Sequence, residues 1–453
     1  MNYLRWRAFD IGTEGGRAAE RYRLALWTVL ADVISKGASL LLMVLSVSLA
    51  VPYLGAERFG VWMTISSFTG MLVFLDLGIG NALANRVSRV AATADAAALR
   101  RTITGGLGLL CLVSMAVAAL LGGLAAVAPW HLLIKVRDVS LLGEIRHGGI
   151  LFAALFGTSL FVGGLQKVYA GLQRSFEAHL VAASASGVAL ILLLLTTNAH
   201  AGVPVLLLVT LGLPQLGAVA LLWGLRRRRL LGVRHLAASI AGEKRALLHV
   251  GALFFVLQIG GIVQTGADGL IVSSVLGSAQ FAVYAVTQRL FQLVSVPLAV
   301  VNAPLWAAYA DAHARGDRAF IVQTLRRSLT FTVGVALSAG ILLTAAGTLL
   351  IQAWTSNHIT VGTSLVAAFF IWTICEVTGN AMAMFLNGCG VVREQVLTVA
   401  VLVVVALPGK YLFVKNFGLE GMLLFYSATF AVVVSLSYGV VFRKRLIHES
   451  THG

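Results

Sequence analysis

Charged residues are scarce in this sequence of 453 residues: only 11% are Asp, Glu, Lys or Arg, whereas 58% are hydrophobic. Soluble domains contain about 25% charged residues. A chain with so little charge cannot cover its surface with polar groups in water. The composition therefore excludes a soluble protein and predicts an integral membrane protein.

Cysteines are also few, and the three that are present are Cys111, Cys375 and Cys389. They are odd in number, lie far apart in the chain and are set in apolar segments. This pattern predicts neither a disulfide framework nor a metal site, and we expect no cofactor.

Acidic residues are outnumbered by basic ones, 18 against 34, which gives a formal net charge of +16. A nucleic-acid partner would account for such an excess. In a membrane protein, however, Lys and Arg collect in the cytoplasmic loops and set the topology. We therefore expect no nucleic-acid partner.

Long apolar stretches fill most of the chain. The first begins near Leu24 and contains Asp32 and Lys36, so it is not the cleaved core of a signal peptide, which has roughly 7–15 uninterrupted apolar residues. A helix needs about 20 apolar residues to cross a bilayer. The sequence contains no run of alternating polar and apolar residues of the kind that forms a membrane barrel. The stretches long enough to span are 24–53, 59–83, 102–127, 148–167, 178–197, 203–225, 246–275, 281–310, 328–353, 363–387, 394–412 and 420–442.

Basic residues are distributed unevenly between the two sides of these spans. With the N-terminus inside, the cytoplasmic segments hold 26 Lys and Arg and the opposite side holds 6, while Lys36 and Arg289 lie inside spans. This excess in short loops predicts that both termini are cytoplasmic.

The connector after the sixth span contains four consecutive arginines at 226–229. We interpret them as the signal that stops this span at the cytoplasmic surface, and binding of anionic lipid or nucleic acid is the alternative. Leu230, Val233, Ala237 and Ile240 follow at helical spacing. This spacing predicts that the connector lies along the inner membrane surface.

The two halves of the chain resemble each other. "LGAERFGVW" (54–62) aligns without a gap to "LGSAQFAVY" (276–284) at an offset of 222 residues, and "LRRTI" (99–103) matches "LRRSL" (325–329). Repeats of six spans have the same orientation, so an axis along the membrane normal relates them and the substrate site falls between them. The prediction is an all-α integral membrane fold of 12 transmembrane helices in two six-helix bundles related by this pseudo-twofold axis. Its parts are a cytoplasmic tail (1–23), an N-terminal half (24–225), a cytoplasmic connector (226–245), a C-terminal half (246–442) and a cytoplasmic tail (443–453).

Four charged residues fall near the middle of predicted spans: Asp32, Lys36, Arg289 and Glu376. At about 1.5 Å per residue they lie about 12–20 Å from the edge at which each helix enters. A charge at this depth costs about 2.5–3.5 kcal/mol on insertion scales, so such residues face a cavity or a partner. The offset of 222 places Gln258 opposite Lys36, which predicts a polar side chain in each half.

Asp32 and Lys36 are spaced i, i+4 and share a helix face. They either neutralise each other, or they line a cavity that binds the substrate or a coupling ion. We interpret the charged residues near the ends of spans as solvated at the membrane surface: Asp76, Lys167, His249, Asp268 and Lys410.

The segment "YLGAERFGVWMTISSFTGMLVFLDLGIGNALANR" (53–86) resembles the first helical hairpin of the polysaccharide transporter family. This family contains the Wzx-type O-antigen flippases of the multidrug/oligosaccharidyl-lipid/polysaccharide (MOP) exporter superfamily, which also includes the MATE transporters. The matching features are Leu54-Gly55, the Phe59–Trp62 stretch that opens the second span, and the stretch from Asp76 to Asn81 that closes it.

The resemblance implies a MATE/MOP-like fold and a function in cell-surface polysaccharide biosynthesis, such as that of the O-antigen of lipopolysaccharide. The substrate would be an undecaprenyl-pyrophosphate-linked oligosaccharide, moved from the inner to the outer leaflet of the bacterial inner membrane by alternating access. Membrane lipid, a coupling H⁺ or Na⁺ and a polysaccharide polymerase are the other implied partners.

Residue roles follow from this expectation. Lys36, Arg289 and Gln258 are the predicted substrate-binding residues, and Asp32 and Glu376 are the predicted ion-coupling residues. The last predicted group lies at the cytoplasmic mouth, where the glycines allow close helix packing and the asparagine caps nearby backbone: Asp76, Gly78, Gly80 and Asn81.

Two other functions compete with this one. A drug/cation antiporter of the same superfamily would use acidic cavity groups, and Asp32 with Glu376 would serve. A polytopic glycosyltransferase, ligase or polymerase acting on lipid-linked sugars would need catalytic groups in a sizeable outer loop. The longest predicted outer loop, 128–147, has no paired acidic motif. We therefore predict a transporter and no catalytic residue.

Overall fold

The computed structural model describes residues 14–93, 95–232, 236–261 and 266–442. These residues are almost entirely helical. The helices are α1 (Glu14–Leu72), α2 (Ile79–Ala92), α3 (Ala96–Val127), α4 (Trp130–Leu133), α5 (Leu141–Gly171), α6 (Ser175–Asn198), α7 (Val203–Leu207), α8 (Gly217–Arg227), α9 (Leu236–Gly261), α10 (Asp268–Val275), α11 (Ser278–Asn302), α12 (Leu305–Ala314), α13 (Arg318–Trp354), α14 (Thr363–Gly388) and α15 (Val392–Phe442).

Within the described residues, 9 helical segments are long and apolar enough to cross a membrane. Two of them, in α1 and α15, each contain two predicted spans that meet at a glycine with non-helical backbone angles. Gly55 has φ 70° and ψ 172°, and Gly418 has φ 68° and ψ −160°. Only glycine adopts such angles without strain, so these residues set the turns between the first and second and between the eleventh and twelfth spans.

Four predicted spans, the second, sixth, seventh and eighth, differ in detail from the helices observed. The second, 59–83, is interrupted by a 3₁₀ turn at Val73–Asp76, after which α2 begins a new direction. The sixth, 203–225, is wound as a π-helix over Leu208–Gly212 and as a 3₁₀-helix over Leu213–Leu216. Pro214 explains this irregularity, because it lacks the N–H that a regular α-helix would use there.

The eighth predicted span, 281–310, also differs, because its helix α11 ends at Asn302 and Pro304 precedes α12. The seventh, 246–275, corresponds to the second part of α9 and to α10. The nine segments long and apolar enough to span thus cover eleven of the twelve predicted stretches, and residues 262–265 of the seventh lie outside the described residues.

The described residues form two compact units. The first contains the described residues within 14–49, 72–129 and 140–258, and the second contains those within 50–71, 130–139 and 259–442. The division of the chain into halves at a 226–245 connector stays a prediction.

Part of the predicted connector is the start of α9, which begins at Leu236 and continues without interruption to Gly261. The first turns of α9 pack against the rest of the first unit, and the position of the connector along the inner membrane surface stays a prediction. The Glu243 carboxylate accepts hydrogen bonds from Arg86 Nε at 3.0 Å and from Thr102 Oγ1 at 2.9 Å. Ile240, which the spacing assigned to a membrane-facing stripe, packs against the apolar core of this unit.

The repeated motif has the same local structure in both copies. Gly277, like Gly55, has a positive φ, of 96°, and precedes a helix. The aromatic residues that follow at matching positions are buried: Phe59, Trp62, Phe281 and Tyr284. The two copies also contact each other within the second unit, where Thr64 Oγ1 and Ser273 Oγ lie 2.5 Å apart.

The two copies of the repeated motif approach each other closely at Gly60, so we expect a side chain at this position to destabilise the protein. A Cβ atom placed on Gly60 would lie 1.8 Å from the carbonyl oxygen of Ser278, whereas one on Gly334 would have no heavy atom within 4 Å. We expect Gly60→Ala to lower the free energy of unfolding by about 3 kcal/mol, because backbone must move to admit the methyl group. Thermal unfolding in detergent measures this.

Gly334→Ala is the matched control, since it also lies inside a helix of the second unit. Alanine is the better helix former by about 0.8–1 kcal/mol, so this variant should be at least as stable as the original chain. Equal stability of the two variants would contradict the packing described for Gly60.

Candidate functional site

The first unit contains a cluster of charged residues on α1 and α6. Lys36 Nζ lies 3.0 Å from Asp32 Oδ2, and His179 Nδ1 lies 3.5 Å from Asp32 Oδ1. The side chains are only partly covered: Lys36 is 43% exposed, His179 34% and Asp32 27%. The predicted i, i+4 contact between Asp32 and Lys36 is therefore confirmed, and the carboxylate has a second partner.

A polar stripe on α1 carries this cluster. Its members recur at helical spacing on one face: Asp32, Ser35, Lys36, Ser39 and Ser46. Apolar side chains lie exposed on another face of the same helix, which is typical of a lipid-facing surface: Leu30, Val33, Ile34 and Leu41. The helix thus presents polar groups to one side and hydrocarbon to the other.

His179 is the member of the cluster that the sequence did not indicate. It is the second residue of the predicted fifth span, near its cytoplasmic edge, whereas Asp32 was placed about 12 Å deep. Because the sequence places Asp32 and His179 at different depths in the membrane, it does not predict a contact between them. Only the packing of α6 against α1 brings the two side chains together.

The second unit contains a cavity of about 310 Å³ between α11, α14 and α15, which we call the α14 cavity. Glu376 lines it and also lines a neighbouring opening with Gln288 and Gln292. The Glu376 side chain is hydrogen-bonded to Ser295 of α11. Among the described residues that line the α14 cavity, Glu376 is the one with a charged side chain.

The three predicted substrate-binding residues are not among the described residues that line this cavity. Arg289 is a half-buried residue in the middle of α11, and Leu293, one turn further on, is 38% exposed. Gln258 lies in α9, but its side chain is outside the described residues. The placement of Lys36, Arg289 and Gln258 around one substrate site stays a prediction.

The predicted cytoplasmic mouth is a tight turn between α1 and α2. Asp76 Oδ1 accepts a hydrogen bond of 2.7 Å from the backbone N–H of Gly78, which has φ 67°. A Cβ on Gly80 would lie 3.2 Å from Asp76 Oδ2 and 3.5 Å from Lys167 of α5, so this glycine allows close packing. Asn81 lies inside α2, two residues past its start, and α2 has no side-chain hydrogen bond at its N-cap, Gly78, so the predicted capping by Asn81 is not observed at this helix start.

One interpretation of the sequence is wrong: Asp268 and Lys410 are not solvated at the outer surface. Lys410 Nζ lies 2.7 Å from Asp268 Oδ1, and the side chains are only 1% and 4% exposed. Tyr284 donates a 2.5 Å hydrogen bond to the other carboxylate oxygen, and the ammonium lies 3.7 Å from the ring centre of Tyr426. These contacts replace the water that the span-end position implied.

No protein-family model matches this sequence, and no curated protein sequence matches it. Solved structures are nevertheless similar. An inward-facing multidrug resistance MATE transporter of the MOP superfamily has a TM-score of 0.66 at 15% identity, covering 90% of this chain and 96% of that chain. A variant of the Vibrio cholerae MATE transporter VcmN has a TM-score of 0.63 at 16% identity, covering 94% and 98%.

The lipid II flippase MurJ, in an inward closed conformation, has a TM-score of 0.66 at 12% identity and covers 92% of this chain and 87% of its own. At these identities the similarity establishes the fold. The chain has a MATE/MOP-like, all-α membrane fold, and the predicted fold class is confirmed.

Proposed function

We propose that this protein is a flippase that moves a polyprenyl-pyrophosphate-linked oligosaccharide from the inner to the outer leaflet of a bacterial inner membrane. The product would supply cell-surface polysaccharide synthesis, including O-antigen assembly by a polymerase. The observation that carries the proposal is the hairpin at 53–86, whose residues resemble those of polysaccharide transporters, on a fold shared with a lipid II flippase and with MATE transporters.

The hairpin residues that carry the resemblance have structural roles. Gly55 forms the turn, Phe59 and Trp62 are buried with ring centroids 5.7 Å apart, and at the other end the Asp76 side chain accepts a hydrogen bond from the backbone N–H of Gly78. These residues determine the shape of the hairpin, and we therefore assign substrate binding to other residues.

Lys36 is the residue we propose for the pyrophosphate. An anion that crosses a low-dielectric core needs a counter-charge, because an unpaired charge there is strongly disfavoured. Lys36 projects from the polar stripe of α1, its side chain is 43% exposed, and its ammonium lies 3.0 Å from Asp32. Arg289 would be its counterpart in the second unit, where its planar fork suits a phosphate group.

Reconstitution in lipid vesicles tests the proposal. The substrate would be a short polyprenyl-pyrophosphate-linked oligosaccharide with a fluorescent sugar, and a membrane-impermeant quencher would report the fraction in the outer leaflet. We expect the purified chain to make all of the lipid accessible, whereas vesicles without protein protect about half. Protection of half of the lipid in vesicles that contain correctly folded chain would overturn the proposal.

A drug/cation antiporter is the second candidate, and the α14 cavity favours it. The cavity places one carboxylate, Glu376, among apolar walls, which is an environment that an organic cation accepts. The same vesicles loaded with a cationic dye distinguish the two. Dye movement driven by an ion gradient, without movement of the lipid-linked oligosaccharide, would favour the antiporter.

Ion coupling gives a prediction for either function. If Asp32 or Glu376 binds H⁺ or Na⁺ during transport, Asp32→Asn or Glu376→Gln should abolish transport driven by an ion gradient, because the neutral side chain cannot exchange the ion. The amount of inserted protein should not change. Transport at the original rate by both variants would contradict coupling through these carboxylates and leave the membrane potential or substrate supply as the driving force.

A further inference from the structure

We infer that the α14 cavity is a subsite for one sugar ring of the lipid-linked oligosaccharide. This inference rests on the proposed function and adds a location for the sugar, separate from the cations proposed for the pyrophosphate. The cavity lies wholly within the second unit, between α11, α14 and α15.

The size of the cavity selects the class of ligand. Ligand pockets have volumes of about 300–1,000 Å³, whereas one water occupies about 30 Å³ in the liquid. At about 310 Å³ the α14 cavity is far larger than a single metal ion or water requires. It is at the lower end of the range for small organic ligands, which fits one ring and not a whole oligosaccharide.

The walls of the cavity have two kinds of surface. The apolar part consists of aliphatic side chains and one aromatic ring: Val296, Leu298, Ala299, Val377, Ala383, Val399, Leu402, Phe430 and Val434. Polar groups on α14 interrupt this surface at Glu376 and Asn380, one helical turn apart. A sugar ring has the matching pair of surfaces, since its C–H faces are apolar and suit an aromatic face, and its rim carries hydroxyl groups.

The hydrogen-bonding groups that line the cavity are mostly occupied. Asn302 bonds to Ser328 and Thr332 of α13, and the Gln395 amide N–H groups bond to Asn387 and to the backbone of Val391. These side chains are therefore held against the wall by the protein itself.

Asn380 is different, because its Oδ1 atom is buried and has no hydrogen-bond partner among the described residues. A buried polar atom without a partner costs about 1–3 kcal/mol, so turning the Asn380 amide toward a ligand in the cavity would relieve this cost. Glu376, with Ser295 as its partner, has further acceptor capacity toward the same space. Sugar hydroxyl groups both donate and accept, so they satisfy the carboxylate and either end of the Asn380 amide.

Binding of methyl glycosides to the whole chain in lipid nanodiscs tests the inference. Saturation-transfer NMR with methyl glycosides of glucose, galactose, mannose and N-acetylglucosamine would identify those that bind and give their affinity. We expect Ala383→Phe, which fills the cavity, to weaken binding at least tenfold. Asn380→Leu removes one hydrogen bond and should weaken it about threefold to tenfold.

Ala400→Phe is the matched control, because Ala400 lies on α15 beside Val399 but is exposed on the outside of the helix. It should bind glycosides like the original chain. Glu376→Gln distinguishes a sugar from a cation, since glutamine still accepts hydrogen bonds. We expect it to weaken glycoside binding by no more than about threefold, whereas an organic cation such as tetraphenylphosphonium would lose the charge that attracts it.

The inference is overturned if no methyl glycoside binds, if Ala383→Phe binds as well as Ala400→Phe, or if tetraphenylphosphonium binds in the cavity and glycosides do not. Flipping by the variants separates this inference from the proposed function. If the original chain and Ala383→Phe flip the lipid-linked oligosaccharide equally well, the flippase stands and the subsite does not. If the original chain flips no lipid, the proposed function itself fails.

Discussion

Lys36→Ala is expected to reduce flipping of the lipid-linked oligosaccharide at least tenfold while the chain remains folded and inserted. Hydrogen bonds to a charged group contribute about 1.5–3 kcal/mol, and each 1.4 kcal/mol corresponds to a factor of ten. The loss of the Lys36 ammonium should therefore show in the initial flipping rate in vesicles. Arg289→Ala should have a similar effect, because it removes the proposed counterpart of Lys36.

The control for this prediction is Lys36→Arg. It keeps the charge at the same position of α1 and should retain more activity than Lys36→Ala, although its geometry toward Asp32 differs. Folding of each variant is checked by its thermal unfolding in detergent, so that a loss of flipping is not a loss of structure.

The competing explanation is that Lys36 only neutralises Asp32, with which it makes a 3.0 Å contact. Combining Asp32→Asn with Lys36→Met separates the two roles. If the double variant restores the transport that either single variant loses, the two charges only neutralise each other, and the proposal for Lys36 is wrong. If the double variant remains inactive, the charge itself is required.

The spans were predictable because each depends on a local property, the length of an apolar stretch. The positions at which these helices are interrupted were less predictable from the sequence. The turn at Asp76 is present in the sequence as a carboxylate before two glycines, yet hydropathy alone continued the span to residue 83. Hydropathy does not mark the end of a helix when apolar residues lie on both sides of the turn, as they do here.

The site was predictable only where its residues are neighbours in the chain. Asp32 and Lys36 are one helical turn apart, so their contact follows from the helix repeat. His179 is far from both in sequence and joins them through helix packing. The α14 cavity likewise depends on how three helices fill space, and of its polar lining only Glu376 was identified, because its charge is unusual inside a span.

The connector also shows that the sequence does not predict which helices pack against each other. The spacing of Leu230, Val233, Ala237 and Ile240 describes a helix with an apolar side, but it does not say what covers that side. In the structure, Gly105 of α3 gives room for the start of α9: a Cβ there would lie 2.3 Å from the carbonyl oxygen of Ser239. Protein therefore covers this surface where the sequence allowed membrane.

The buried pair between Asp268 and Lys410 gives the second large expected effect. Lys410→Met should lower the free energy of unfolding by about 3–5 kcal/mol, since it leaves the Asp268 carboxylate buried without its counter-charge. Asp268→Leu should be comparably harmful, because the buried ammonium then loses its 2.7 Å contact with the carboxylate and keeps the Tyr426 ring, 3.7 Å away, in place of a full counter-charge. Thermal unfolding in detergent measures both losses.

A double variant shows whether the cost comes from the unpaired charge or from the altered shape. Replacing a buried ion pair by apolar residues of similar volume is often neutral or stabilising, by about 1–4 kcal/mol. Asp268→Leu combined with Lys410→Met should therefore recover most of the stability that each single variant loses. Lys415→Met, at an exposed position of the same helix, should change stability by less than about 0.5 kcal/mol.

If the double variant is as unstable as the single variants, the side chains matter for their packing, and the argument from burial of charge fails. If it is stable but no longer transports, the pair is retained for a conformational change that an apolar pair cannot make.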